Sequence, residues 1–195
     1  MRRLIRCAWA LLLLACTEPR VLVGAQAQTW QAGAPSGAVS TLAGNPSHGT
    51  TDAVGLSAKF SQPFGVAITP DQAFAFIGDF GNGKVRRVEL ATRAVTTLAA
   101  DLAGPKGVHL SPDGSFLLVC LLYGHKVCAI QVKTGAVSTL AGSSKGYKDA
   151  TGTSAQFNEP MGVAVAPGGK YALVSEAGEL TQAHSLFGRG RTEDN

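Results

Sequence analysis

Three polar side chains stand where this sequence could do chemistry. Asp79 and Asn82 frame the cluster Asp79-Phe-Gly-Asn-Gly83, and Glu176 falls at the equivalent of Asp79 in a later copy of the same pattern; the middle copy has Leu121 there. Their oxygens can serve a polar ligand or a metal ion. They can also accept hydrogen bonds from nearby backbone N–H groups and shape the turn, which is the reading preferred for Asp79 and Asn82. Lys84, Arg86 and Arg87 form a small basic cluster, expected to be a solvated strand face. Lys84, Arg86 and His125, a histidine in a turn, complete the candidate ligand-binding set with Asp79, Asn82 and Glu176. His48, His109 and His184 are scattered, and no two histidines have metal-ligand spacing. No Gly-x-Ser-x-Gly, His-Glu-x-x-His or Walker sequence occurs.

These residues must be positioned by a chain of 195 residues that is 45% hydrophobic, 15% charged and 7% aromatic, with 24 glycines. That balance is unlike a highly charged disordered chain, and no Gly-X-Y period marks a collagen. After the first 25 residues no apolar run reaches ~18, which excludes a multi-span membrane protein.

The N-terminus reads as an address. Arg2, Arg3 and Arg6 precede the apolar stretch Cys7–Ala15, and small residues follow at Val23-Gly24-Ala25 and Ala25-Gln26-Ala27. This predicts a secretory signal peptide over 1–25, cleaved after Ala25 or Ala27, and a linker over 26–36. Leu13-Leu14-Ala15-Cys16 also resembles a bacterial lipoprotein box, a variant in which Cys16 is lipidated. The expected destination is extracellular, or periplasmic in a bacterium. The whole chain has 17 basic and 13 acidic residues; without Arg2, Arg3, Arg6, Arg20 and Glu18 the balance is 13 to 12, a net charge of +1. The basic excess lies mostly in the leader and gives no case for nucleic acid. Of the four cysteines, Cys120 and Cys128 remain after cleavage. They are expected to be either buried thiols or a cross-strand disulfide, which an oxidising compartment allows.

Internal repeats decide the architecture. Gly37-Ala-Val-Ser-Thr-Leu-Ala-Gly44 returns as Gly135–Gly142, with a degraded copy at Arg93–Ala100. Pro63-Phe-Gly-Val-Ala, Pro105-Lys-Gly-Val-His and Pro160-Met-Gly-Val-Ala form a second family of copies. His48–Pro63 matches Lys145–Pro160 without a gap, and the middle junction, Asp101–Gly104, lacks this insert. Between Pro63 and Ala100 four apolar runs, Phe64–Thr69, Ala73–Gly78, Lys84–Leu90 and Ala94–Ala99, are separated by Pro, Asp, Asn and Gly turns. They predict four short strands, and residues 105–142 repeat the pattern. Apolar residues fall on both faces, as in Phe116–Leu122, so each sheet must be covered on both sides. Such sheets recurring every ~40–50 residues are blades set around an axis.

The quoted motifs, Thr-Leu-Ala-Gly, Asp-Ala-x-Gly-x-x-Ala-x-Phe-x-x-Pro, Gly-Val-Ala, Pro-Asp and Gly-Asp-x-x-Asn-x-x-Val-Arg, resemble NHL-repeat β-propellers over residues 37–178. The resemblance implies a ring of about six blades in most relatives, with ligands held at one end of the channel. It also implies that acids near strand ends can line that mouth and offer oxygen ligands to Ca²⁺. Here Gly37–Gly44 is expected to be a fourth strand, followed by two whole blades and two strands of another, about three blades where a closed ring needs at least ~4. The expectation is an all-β, incomplete arc: a truncated product in preference to one arc of an oligomeric ring. Open blade edges would favour self-association. Phe60 and Phe157 in the inserts are expected to plug between blades, Gly55 and Gly152 to allow the sharp path, and 179–195 to be a disordered tail.

The function expected is a secreted, non-catalytic scaffold that binds a protein or glycan. The alternatives are a metal-dependent propeller enzyme, of the gluconolactonase or amidating-lyase kind, and a non-functional truncated product.

Overall fold

Each repeat forms a blade because its apolar runs are short, end in turn formers and carry apolar side chains on both faces. The computed structural model describes residues 39–178 and 183–186. All of the strands lie in the compact unit Ser40–Asn195. The first blade is an antiparallel sheet of β1 (Pro63–Ile68), β2 (Phe74–Asp79), β3 (Lys84–Glu89) and β4 (Val95–Ala99), hydrogen-bonded in that order. The second is β5 (Pro105–Leu110), β6 (Phe116–Leu121), β7 (Lys126–Gln131) and β8 (Val137–Ala141) in the same order. The third has three strands, β9 (Pro160–Val165), β10 (Ala172–Glu176) and β11 (Ala183–Leu186), with β10 central. No α-helix occurs among the described residues, and none there is long and apolar enough to cross a membrane.

The β1–β2 and β5–β6 turns are built by their aspartates. Asp71 Oδ1 accepts from the Ala73 N–H at 3.0 Å and from the Thr69 hydroxyl. Asp113 accepts from the Ser115 N–H at 3.1 Å and from both the Ser111 and Ser115 hydroxyls. The two hydroxyls lead in holding the Asp113 carboxyl at about 2, below its ordinary 3.8.

The blades meet along β1, β5 and β9, which neighbour one another at the inner side of the arc. The Pro-x-Gly-Val copies explain how. A Cβ on Gly65 would lie 2.3 Å from the Lys106 carbonyl oxygen, and one on Gly107 would lie 2.4 Å from that of Met161. Only glycine lets the next backbone approach this closely. Behind this seam, Phe76 and Val85 of the first blade pack on Val108, Leu110, Leu117, Val119, Cys128 and Ile130 of the second. Cys120, Val127 and Ala141 of the second blade pack on Val174 of the third, with Phe157 of the second insert between them. On the far face of the first blade, Ala58 and Phe60 of the first insert cover Ala75, Val88 and Val95. Each insert turns through a 3-10 turn, Gly55–Ser57 or Gly152–Ser154, whose leading glycine takes a positive φ.

Four sequence expectations need correction. Residues 39–44 carry no strand: among the described residues no third strand lies beside them to complete a ladder. The third blade has a third strand, since Ala183–Leu186, in the expected disordered tail, pairs with β10; residues 179–182 and 187–195 lie outside the described residues. The signal peptide and linker over 1–36 lie outside them too. Cys120 and Cys128 are not bridged. The register sets Cys120 opposite Val127 and Cys128 opposite Val119, so the thiols point to opposite faces of the sheet, into different cores. Arg86, expected on a solvated strand face, is buried.

Candidate functional site

Arg86 is fully buried, not part of a solvated strand face. It stands opposite Ile77 on the face of the first blade that the insert covers. Its Nη1 donates to Asp79 Oδ2 at 2.9 Å and to the Lys59 carbonyl at 2.9 Å. Its Nη2 donates to the Thr51 carbonyl at 3.0 Å and to Asp52 Oδ1, which also accepts from Nε at 3.1 Å. The Phe60 ring lies 5.0 Å away, within cation–π range. A guanidinium removed from water in this way requires every donor to be matched, and the insert supplies the acceptors.

Asp79 closes the other side. It is also fully buried, and its Oδ1 accepts from the Ser61 N–H at 2.7 Å. Its Oδ2 accepts from Asn82 Nδ2 at 2.8 Å, and Asn82 donates as well to the Gly49 carbonyl at 2.6 Å. Lys84 Nζ donates to the Thr50 hydroxyl. Four of the six candidates, Asp79, Asn82, Lys84 and Arg86, are thus brought together, and every one of them fastens the insert. Asp52, which sequence reasoning overlooked, is the insert's own anchor. Burial raises the Asp52 carboxyl, but Arg86 and the Thr97 backbone and side chain outweigh it and hold it below 3.8.

The other two candidates sit at the next junction. Asn158, at the position of Ser61, donates its N–H to Glu176 Oε2 at 3.2 Å, repeating the Ser61–Asp79 bond. His125 Nδ1 accepts from the Glu159 N–H at 3.3 Å and ties the β6–β7 turn to the second insert. The middle blade completes the logic. It has no insert, and the register puts Leu121 and Cys128 where the first blade has Asp79 and Arg86. Where there is no loop to hold, the buried charges are gone.

These residues are a poor fit to Ca²⁺. Both Asp79 oxygens already accept from N–H donors, and a guanidinium lies where a cation would bind. Among the described residues no group of three or more His, Cys, Asp or Glu converges as metal ligands.

A different cluster faces solvent at the end of the arc where β1 and β5 begin. The Phe64 and Phe80 rings meet edge to face, centroids 5.4 Å apart, and Tyr123 lies 5.3 Å from Phe80. Lys106 Nζ stands 4.4 Å from the Phe64 centroid and 5.7 Å from that of Phe80. Gly104 makes this possible, since a Cβ there would lie 2.9 Å from the Tyr123 ring and 3.0 Å from that of Phe80. Phe64 and Tyr123 are exposed. Three rings with one ammonium offer stacking faces and a charge, with no nucleophile or general base. A signal for this rim was present: the second position of the Pro-x-Gly-Val copies varies, as Phe64, Lys106 and Met161, while its neighbours repeat.

The fold is that of an incomplete β-propeller arc. A strictosidine synthase family profile matches residues 70–133. No curated protein matches the chain. Among solved structures the chain is similar to hydrazine synthase of Kuenenia stuttgartiensis at 24% identity and TM-score 0.51, over 68% of this chain and 32% of that one. A chain of a nidogen/laminin complex is similar at 13% and 0.53, over 64% and 44%. An auxiliary nutrient binding protein of Bacteroides ovatus is similar at 21% and 0.52, over 62% and 36%. The chain therefore spans about a third to under half of the structures it resembles, and at these identities the likeness is one of fold.

Proposed function

We propose that this chain is a secreted, non-catalytic propeller arc with NHL-type blades, which binds a glycan or protein through the rim of Phe64, Phe80, Lys106 and Tyr123. The observation that carries the reading is the exposure of Phe64 and Tyr123 around Lys106 at one end of the arc. Contiguous exposed aromatics at a mouth mark an interaction site. Aromatic faces stack on the apolar face of a sugar ring or on a peptide side chain, and the ammonium selects an acidic or hydroxyl-rich partner. The acids an enzyme would use are engaged in fastening the insert, which favours binding over catalysis. The basic, then apolar, then small-residue N-terminus supports the secretory route, and the names of two similar structures, a nidogen/laminin complex and a nutrient binding protein, accord with binding.

The test is a combined glycan and peptide array, probed with the wild-type chain and with a Phe64→Ser/Tyr123→Ser variant of unchanged circular dichroism. Specific spots that vanish with the variant support the reading. An empty array, or the same spots with both proteins, overturns it.

A further inference from the structure

The two open faces of the arc are unlike each other. On the first blade, Val66 is 61% exposed and Ile68 is 56% exposed. Their counterparts in the second blade, Val108 and Leu110, are buried against the blade that precedes it. On the third blade, Leu173 pairs with Ala164 and is 49% exposed. Its counterparts Phe76, paired with Ala67, and Leu118, paired with His109, are both buried by the blade that follows. Among the described residues, the insert covers β2–β4 on the leading face of the first blade but leaves Val66 and Ile68 of β1 open, and no blade covers Leu173 on the trailing face of the third.

The glycine row carries the same asymmetry. Gly65 admits the Lys106 carbonyl and Gly107 admits that of Met161, but at Gly162 the nearest atom to a built Cβ is the Ser175 hydroxyl oxygen of its own blade, 2.7 Å away. The notch that receives the next blade is present on β9, and among the described residues no following backbone enters it. It continues the seam that already joins three blades, so the surface on offer is an extension of an existing interface. The residue that would place its carbonyl there is the counterpart of Lys106 and Met161, namely Phe64.

We infer that a second copy of this chain docks head to tail, its β1 against β9, with Val66 and Ile68 covering Gly162, Ala164 and Leu173. The contact is heterologous, so it either closes into a ring or propagates as a filament. It uses the sheet faces and the Phe64 backbone, and leaves the rim's aromatic side chains out of the contact.

The experiment is sedimentation of the full chain across a concentration range, alone and as mixtures of variants. The wild type is expected to shift from one-chain mass to two chains or more. Val66→Asp blocks the leading face and Gly162→Ala the trailing one, so each alone stays at one-chain mass. Mixed, they restore a single junction and a mass of two chains, because each keeps the face the other lacks. Ile68→Lys with Leu173→Lys is a second pair, read in the same way if either first variant fails to keep the wild-type circular dichroism. A wild type that stays at one-chain mass overturns the inference. So do variants that associate on their own as the wild type does, and a mixture that fails to associate when the wild type does.

Discussion

Arg86 and Asp79 form a fully buried ion pair, Nη1 to Oδ2 at 2.9 Å, and both residues reach across to the loop that precedes their own blade. The pair acts as a latch: β2 and β3 present it, and Lys59, Ser61, Thr51 and Asp52 of the insert satisfy it. Breaking one partner leaves the other charged and dry. Asp79→Leu alone and Arg86→Cys alone are each expected to destabilise the fold by ~3–5 kcal/mol. The double replacement Asp79→Leu/Arg86→Cys, which copies the middle blade, is expected to cost less than the sum of the single changes. Urea unfolding of the four proteins reads the cycle, and additive losses would show that the pair is not coupled.

Acid should act through Asp52. Its folded value lies below the ordinary 3.8, so its contribution is full above about pH 4 and is lost as pH falls through the depressed value. Wild type minus Asp52→Asn stability, measured by denaturant at several pH values, is expected to be constant above pH 4 and to shrink below it. A gap that widens in acid would contradict the ion-pair assignment.

The thiols should be silent at neutral pH. Burial, aided by the charges of Cys128 and Glu176, pushes Cys120 up to about 12; burial also raises Cys128, against the opposing pull of Thr139 and Lys126. A thiol kept protonated is a poor nucleophile. In the native protein neither Cys120 nor Cys128 is expected to react with iodoacetamide or a disulfide reagent, while in the unfolded protein both are labelled, as peptide mapping of these two positions would show. Rapid labelling of the folded chain, or recovery of a Cys120–Cys128 bridge, would contradict the register.

Calcium should leave the melting temperature unchanged, since a ligand stabilises only what it binds and Asp79 is already paired. A calcium-dependent rise that disappears in Asp79→Asn would show that the carboxylate can leave Arg86 for the ion.

Much of this architecture was legible in the residues. The four strands of the first blade fall within about one residue of their predicted limits, because Pro70, Asp71 and Gly83 punctuate apolar runs too short for helices. The predicted plug by Phe157 is seen in the core between the second and third blades. The latch was not legible, for a physical reason. Strand parity places Arg86 on one face of β3 but does not say whether water or a loop from 27 to 35 residues away lies over that face. Asp52 held the missing clue: it recurs as Asp149 in the second insert and is absent where the insert is absent. The disulfide failed on register, since a one-residue shift between neighbouring strands exchanges the faces and sequence alone does not fix it.

The arc is held by blades wedged side by side along their inner strands. The most direct measurement is a set of nuclear Overhauser contacts at that seam: Gly65 Hα to the Val108 amide, and Gly107 Hα to Gly162 Hα. A Cβ on Gly65 would lie 2.8 Å from the Val108 nitrogen, and one on Gly107 would lie 2.8 Å from the Gly162 Cα, so both cross-peaks are expected to be strong. If the strand ladders within each blade are seen and these two contacts are missing, the blades do not meet at the glycine row, and the arc is not the fold.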